Sequence, residues 1–247
     1  MLVGNSDGYK SWAPRWDSPF TYTEIFSWDH TGTFHPCYGR QARLLNAEHG
    51  TPDRIRLAGV EYDKVTATEY FPFAEEPEDP EEDFPFTKIY EDVLQGRQDY
   101  DKSLRALACT LTAGYACRKH PSEDGDPNLK DIHHGVLSEF LEYMRRPNED
   151  PSLMSDAAQR YKKEAERRCA GFRFFWTSNR DCGLGPGCMR TGDIIVVLYG
   201  GQTSFVLRRR GDAYLILDQA YVHSIMDGQL MEELEAGRRE ERVFCLI

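Results

Sequence analysis

The sequence lacks the long apolar runs and short motifs that identify many common classes of protein. No apolar run reaches the roughly 18 residues of a membrane-spanning helix. No basic segment followed by an apolar core, as in a secretory signal, opens the chain. HExxH, GxSxG, a Walker phosphate loop and a Gly-rich dinucleotide fingerprint are also missing. The sequence therefore predicts neither a membrane span nor a cofactor.

The seven cysteines form no CxxC pair, and their spacing fits no standard zinc site. They are odd in number, which indicates mostly buried, reduced thiols and a cytoplasmic location rather than a disulfide framework. His133 and His134 are adjacent on a predicted helix and diverge, while Cys182 and Cys188 only flank a glycine-rich segment. We expect no bound metal.

Acidic residues outnumber basic ones, 41 to 30, which gives a net charge of −11. A chain with this excess repels nucleic acid on average, so we expect no nucleic-acid partner. The length of 247 residues allows one large domain or two small ones.

Three regions follow one another along the chain. Residues 1–72 are β-rich, because "RIRLAGVEYDKVTATEYF" alternates apolar and polar residues around Gly59, which predicts two strands separated by a bend or bulge. Residues 87–170 contain three helical segments with apolar residues every three or four positions, and Ser103 is a candidate N-cap. Residues 172–247 are β-rich again, with strands in "FRFFWTS", "DIIVVLYGG", "TSFVLRRRGDAYLILDQA" and "RVFCLI".

Strands at both ends with helices between them predict an α+β fold. The run "DIIVVLYGG" is apolar at nearly every position, so its strand should be buried on both faces and needs neighbours. Neither β region has enough strands to stand alone. We therefore expect a single domain of residues 1–247, in which both ends form one mixed or antiparallel sheet or a small β-barrel, with the helices packed on one side. Two separate domains are the alternative.

The segment "YVHSIMDGQ" carries the candidate catalytic residues. His223 is predicted at a strand end, with Tyr221 two residues before it on the same face and Asp227 four residues after it. Such a set could move protons, because histidine titrates near neutral pH and a carboxylate can orient it. A structural interpretation explains more of the segment: His223 bonded to backbone and Asp227 as the N-cap of a short helix. The segment "GLGPG", 183–187, lacks the lysine and serine of a phosphate loop and predicts a β-turn.

Several short segments together carry a resemblance to a known family. They are "SWAPRWD", "LAGVEYDKV", "SLRALACTLTAG", "GFRFFWTS", "GLGPG", "TGDIIVVLYGG", "TSFVLRRR" and "YVHSIMDGQ". They resemble the C-terminal region of fungal heterokaryon-incompatibility (HET-domain) proteins. The sequence departs from the family pattern at Arg15, Ser224 and Gln229, where Asp, Gly and Glu are usual. We expect no counterpart of the HET effector domain, which precedes these motifs in the family.

The resemblance implies a recognition or scaffold module that binds a protein partner in self/non-self or related intracellular signalling. The alternative is a free-standing cyclase, isomerase or hydrolase of fungal secondary metabolism, with a small-molecule ligand in a pocket near His223. An apolar, aromatic-lined pocket containing His223 would favour the enzyme. A filled core around His223 would favour the module. The oligomeric state stays open.

The acidic segment "AEEPEDPEEDFP", 74–85, generates a prediction about domain organisation. Its like charges and prolines are incompatible with a packed core, which predicts an exposed, mobile loop. Limited proteolysis should therefore cut first within 74–85. Release of a stable, folded fragment 87–247 would contradict the single-domain prediction.

Overall fold

The computed structural model describes residues 34–42, 54–71, 86–95, 99–115, 129–145 and 153–247. The acidic segment 74–85 and Arg15 lie outside the described residues. The elements are β1 (Ile55–Tyr70), α1 (Phe86–Leu94), α2 (Tyr100–Leu111), α3 (Leu129–Arg145), α4 (Asp156–Cys169), β2 (Phe172–Thr177), β3 (Cys182–Pro186), β4 (Ile194–Leu198), β5 (Ser204–Arg210), β6 (Ala213–Ala220), a 3-10 helix (His223–Ile225), α5 (Gln229–Glu235) and β7 (Glu241–Leu246).

The seven strands form one mixed sheet in the order β3-β2-β1-β4-β5-β6-β7. Neighbouring strands are antiparallel, except that β6 and β7 pair in parallel at Tyr214 and Leu246. Strand β7 also pairs with β1, so a ring of hydrogen bonds closes through β1, β4, β5, β6 and β7. The predicted α+β fold, with strands from both ends of the chain in one sheet, is confirmed.

Strand β1 is the centre of this sheet, because it pairs with β2, β4 and β7. Its 16 residues form one strand rather than two. The register shifts lie between Glu61 and Asp63 and between Val65 and Ala67, so the predicted interruption at Gly59 is wrong. Gly59 instead lets β4 approach closely, because a Cβ there would lie 2.5 Å from the Val197 carbonyl oxygen.

Each face of β4 is buried, as its continuous apolar run predicts. Val196 and Leu198 point to one face, and Ile195 and Val197 to the other. The first face contributes to a cluster drawn from all five strands of the closed ring, and this cluster fills the ring: Leu57, Ile194, Val196, Leu198, Phe205, Leu207, Tyr214, Ile216, Phe244 and Leu246. The second face packs against a layer that includes Phe175, Met189, the 3-10 helix and α5.

The helices form a third cluster with one face of β2 and β3. Its sheet-side members include Phe172, Phe174 and Leu184, and Tyr221 joins them from the end of β6. Tyr161 of α4 donates a buried hydrogen bond to the Ala108 carbonyl oxygen, 2.8 Å away, and so ties α4 to α2. The helical layer on one side of the sheet is confirmed. No described helix is long and apolar enough to cross a membrane.

Two local predictions need correction. The N-cap of α2 is Asp99, whose side chain accepts from the Lys102 amide, rather than Ser103. Residues 182–186 are extended as β3, so the predicted β-turn is wrong and the chain turns only after Pro186.

Among the described cysteines, Cys109 is disulfide-bonded. The others are free thiols: Cys37, Cys169, Cys182, Cys188 and Cys245.

A buried ion pair joins the beginning of β4 to β5. The Arg208 Nε and Nη2 atoms donate to the two carboxylate oxygens of Asp193, each over 2.8 Å. The Arg208 side chain is 8% exposed and the Asp193 side chain is 2% exposed. Arg208 Nη2 also donates to the Cys188 carbonyl oxygen, and Asp193 accepts from the Arg190 amide. This network explains Asp193 in the motif "TGDIIVV" and Arg208 in "FVLRRR".

The ion pair predicts a characteristic pattern of stability changes. Replacing Asp193 by Asn leaves the Arg208 guanidinium buried with a weaker partner, which should cost about 3–5 kcal/mol of unfolding free energy. The double change Asp193→Asn with Arg208→Met should cost less than the sum of the two single changes, because no buried charge is left unpaired. Urea unfolding of the four proteins measures this. Additive costs would contradict the pairing.

Candidate functional site

The segment Tyr221–Gln229 lies where the sheet, the helical layer and the 3-10 helix meet. After β6 the chain makes one further antiparallel bridge, between Tyr221 and Leu184 of β3. Both backbone hydrogen bonds of the bridge are present, at 2.9 and 2.8 Å. The 3-10 helix follows at once, and α5 begins after Gly228. We call Tyr221–Gln229 the junction.

Tyr221 and His223, which the sequence predicted on one face, are in direct contact. The Tyr221 hydroxyl lies 3.0 Å from His223 Nδ1, and the imidazole tautomer decides which atom donates. The Tyr221 ring is buried against Phe34, with 5.7 Å between ring centroids. Gly114, at φ +79°, lies against the same ring, since a Cβ there would be 2.7 Å from it. The helical layer therefore fixes Tyr221, which in turn holds the half-buried imidazole.

Asp227 does not have the predicted role of N-cap. The N-cap of α5 is Gly228 in the left-handed conformation, at φ +91°, with no side-chain capping bond. The Tyr38 ring packs over Gly228 so closely that a Cβ would lie 2.5 Å from it. Asp227 is exposed, and its backbone amide donates to Gln229 Oε1 over 2.9 Å.

A second polar set lies on the junction and involves residues that sequence reasoning missed. The Tyr62 hydroxyl of β1 donates to the Asp181 carboxylate, from the β2–β3 connection. Ser224 Oγ lies 2.9 Å from the same Tyr62 oxygen. Because the phenol has one proton and gives it to Asp181, Ser224 must be the donor to Tyr62. Nothing in the spacing of three separate segments could signal this set, although Ser224 stood out as a departure from the family pattern.

The environment of Tyr62 keeps its phenol protonated. Burial raises the pKa of Tyr62 above its ordinary value, and the neighbouring Asp181 carboxylate adds to that shift. Arg239 covers the other side: its guanidinium lies 5.6 Å from the Tyr62 ring centroid and donates to the Tyr62 carbonyl oxygen over 2.7 Å. The Ser224–Tyr62–Asp181 chain thus links β1, the β2–β3 connection and the 3-10 helix.

Residues 34–42 lie against the junction and border a cavity. The His35 amide donates to the Met226 carbonyl oxygen over 2.9 Å. Between residues 34–42 and the Gly200–Gln202 turn lies a cavity of about 390 Å³. His223, Tyr221 and Asp227 are not among the residues that line this cavity. Within the described part of the chain, no three His, Cys, Asp or Glu residues lie close enough to hold a metal ion.

The contact between His223 and Tyr221 predicts a measurable coupling. His223→Ala leaves the buried end of Tyr221 without this partner and should cost about 1–3 kcal/mol of unfolding free energy. Tyr221→Phe removes only the hydroxyl, and the double variant should show a coupling of about 0.5–1.5 kcal/mol. Thermal or urea unfolding of the four proteins gives this coupling. A value near zero would mean that the contact has no structural role.

The raised pKa of Tyr62 predicts a specific response of the protein to alkaline pH. Its pKa is raised in the folded state, so its contribution to stability is fully present below about pH 10, the ordinary value. That contribution is lost as the pH rises through the higher folded-state value. The difference between absorbance titrations of the native protein and its Tyr62→Phe variant should therefore show a phenol that ionises above pH 10. A difference curve centred at or below pH 10 would contradict the site as described.

Comparison with known proteins supports the resemblance noted in the sequence. Residues 147–247 match the family model described as the Het-6 beta-barrel domain. The heterokaryon incompatibility protein 6, OR allele, of Neurospora crassa is 38% identical over 73 residues, which are 28% of this chain and 11% of that protein. The match therefore spans a small part of that relative's length. No solved structure matches the chain significantly. Residues 147–247 are thus similar to the Het-6 beta-barrel domain family, and part of the chain is similar to part of a heterokaryon incompatibility protein.

Proposed function

We propose that this chain is a recognition or scaffold module that binds a protein partner in a process related to heterokaryon incompatibility. The domain match over residues 147–247 and the similarity to heterokaryon incompatibility protein 6 of Neurospora crassa support that process. The observation that carries the choice of a module over an enzyme is the position of His223. Its Nδ1 faces the Tyr221 hydroxyl of the framework, and the cavity beside residues 34–42 is lined by other residues.

The polar groups of the junction support a framework role in the same way. Ser224 and Tyr62 form a chain of hydrogen bonds that ends on the Asp181 carboxylate. A raised Tyr62 pKa makes the phenol a poor base at neutral pH. The three groups join separate elements to one another, as a structural network does.

Tyr38 offers the module a rigid point of contact for a partner. Its side chain is 69% exposed, the largest exposed fraction among the large hydrophobic side chains that the structure describes. Its backbone is left-handed, at φ +49°, which is uncommon for a residue other than glycine. The turn is held by bonds from the Tyr38 amide to the His35 oxygen and from the Arg40 amide to the Cys37 oxygen. A tyrosine fixed in this way is typical of interface hot spots.

One observation favours the alternative of a small-molecule enzyme, such as a cyclase, isomerase or hydrolase. The Tyr221 hydroxyl and the half-buried His223 imidazole could share a proton across 3.0 Å. If His223 moved a substrate proton, removing it would lower activity by roughly 10²- to 10⁴-fold.

Complementation in a fungal host tests the two functions against each other. The gene would be deleted and restored as the native protein or as one of three variants: Tyr38→Ala, Leu153→Ala and His223→Gln. Compatibility on hyphal fusion would then be scored, with melting temperatures of the purified variants as a check on folding. Leu153, which is 59% exposed beside the helical layer, is the matched control for removing an exposed apolar side chain.

We expect the native protein, Leu153→Ala and His223→Gln to restore the fusion phenotype, and Tyr38→Ala to fail although it folds. A folded His223→Gln variant that fails while Tyr38→Ala succeeds would support the enzyme instead. A deletion that leaves fusion compatibility unchanged would contradict both the process and the module.

A further inference from the structure

We propose that the cavity between residues 34–42 and the Gly200–Gln202 turn binds a small organic carboxylate. The cavity of about 390 Å³ has the size of a small-molecule site, which usually measures roughly 300–1,000 Å³. The site is separate from His223, and it does not depend on the proposed recognition function.

The charge of the lining points to an anion. Among the ten lining residues that the structure describes, Arg40 provides the permanent charge, and none is Asp or Glu. Gln41 and Gln202 add side-chain amides, while Phe34 and Ala42 add apolar surface. A guanidinium presents a planar fork of donors that matches the two oxygens of a carboxylate. The ligand that fits best is therefore a carboxylate on a small apolar body.

Arg40 is held in place before any ligand binds. Its carbonyl oxygen accepts from the Gly200 amide over 2.8 Å, and its guanidinium carbon lies 5.4 Å from the Tyr199 ring centroid. Gly200, at φ +84°, brings the two walls together, because a Cβ there would lie 2.6 Å from Ala42 Cβ. On the same wall, the Cys37 thiol donates to the Gly201 carbonyl oxygen over 3.2 Å. A preformed wall of this kind lowers the cost of ordering on binding.

The present partner of Arg40 is easily displaced. Arg40 Nη2 lies 3.1 Å from Glu235 Oε1 of α5, with the two side chains 36% and 66% exposed. Exposed ion pairs of this kind contribute little. Glu235 does not line the cavity, so it competes with a bound carboxylate for the guanidinium from outside. Removing its charge should therefore strengthen binding, whereas a purely apolar cavity would not respond.

Benzoate is the probe, and benzamide is its neutral match in shape. Each would be titrated into the isotopically labelled, intact chain while the amide and arginine resonances are followed by NMR. We expect saturable benzoate shifts at Arg40, Gly200 and Gly201. Benzamide should bind at least about tenfold more weakly, since it lacks the charge that the guanidinium recognises.

Three variants give the decisive comparison. Arg40→Met should weaken benzoate binding at least about tenfold, and Glu235→Gln should strengthen it about twofold or more. Arg238→Met removes an exposed arginine outside the lining residues and should leave binding unchanged.

Equal binding of benzoate and benzamide, shifts centred away from the cavity, or weaker binding by Glu235→Gln would overturn the proposal. Benzoate shifts that do not saturate below about 20 mM would also overturn it, because they would show only weak, non-specific binding of the probe. If Arg40→Met does not fold, the benzamide and Glu235→Gln comparisons still decide the question.

Discussion

The backbone pairing of Tyr221 with Leu184 is the contact on which the junction depends. It joins the end of β6, a strand of the closed ring, to β3, the outermost strand on the other side of the sheet. The approach is close, since a Cβ on Gly183 would lie 2.6 Å from the Tyr221 carbonyl oxygen and 2.3 Å from the Phe175 ring. The 3-10 helix that follows the bridge lies against Tyr62, and the chain just after it contacts His35. The pairing of these buried backbone groups thus helps to set the positions of His223 and Ser224 in the junction.

The bridge also changes the meaning of the motifs that carried the family resemblance. The glycines of "GLGPG" allow the close packing of β3 and do not form a phosphate-binding loop. Asp193 of "TGDIIVV" pairs with Arg208 of "FVLRRR". The segment "YVHSIMDGQ" holds three layers together through Tyr221, His223 and Ser224. These four motifs therefore have a structural explanation. For this reason the proposed contact with a partner is placed at an exposed side chain, Tyr38, rather than at one of these motifs.

The order of elements could be predicted because it depends on local pattern. Helical spacing and the doubly buried run of β4 are visible in any window of the sequence, and together they required strands from both ends to share one sheet. The extended course of β3 was not predictable, since the pairing partners of "GLGPG" lie at 172–176 and at Tyr221. The path of β1 depends in the same way on three partner strands. One of these, β7, lies at the far end of the chain.

The candidate site was predictable only where its residues are near neighbours. Tyr221 and His223 meet because Val222 between them is extended, and an extended backbone places residues two apart on one face. Asp227 was misassigned because the Tyr38 ring, far away in sequence, demands glycine at the cap position. Tyr62 and Asp181 were missed for the same reason: 119 residues separate them, and only the folded sheet brings them together.

Native-state hydrogen exchange tests most directly whether the junction holds the layers as one unit. The amides of Leu184 and Tyr221 form the bridge, and those of β4 and β5 belong to the closed ring. If the bridge is part of the cooperative framework, its two amides should exchange only through global unfolding. Their opening free energies should then agree with those of β4 and β5 to within about 0.5 kcal/mol. Exchange of Leu184 and Tyr221 at a clearly lower free energy, while β4 and β5 stay protected, would contradict the account.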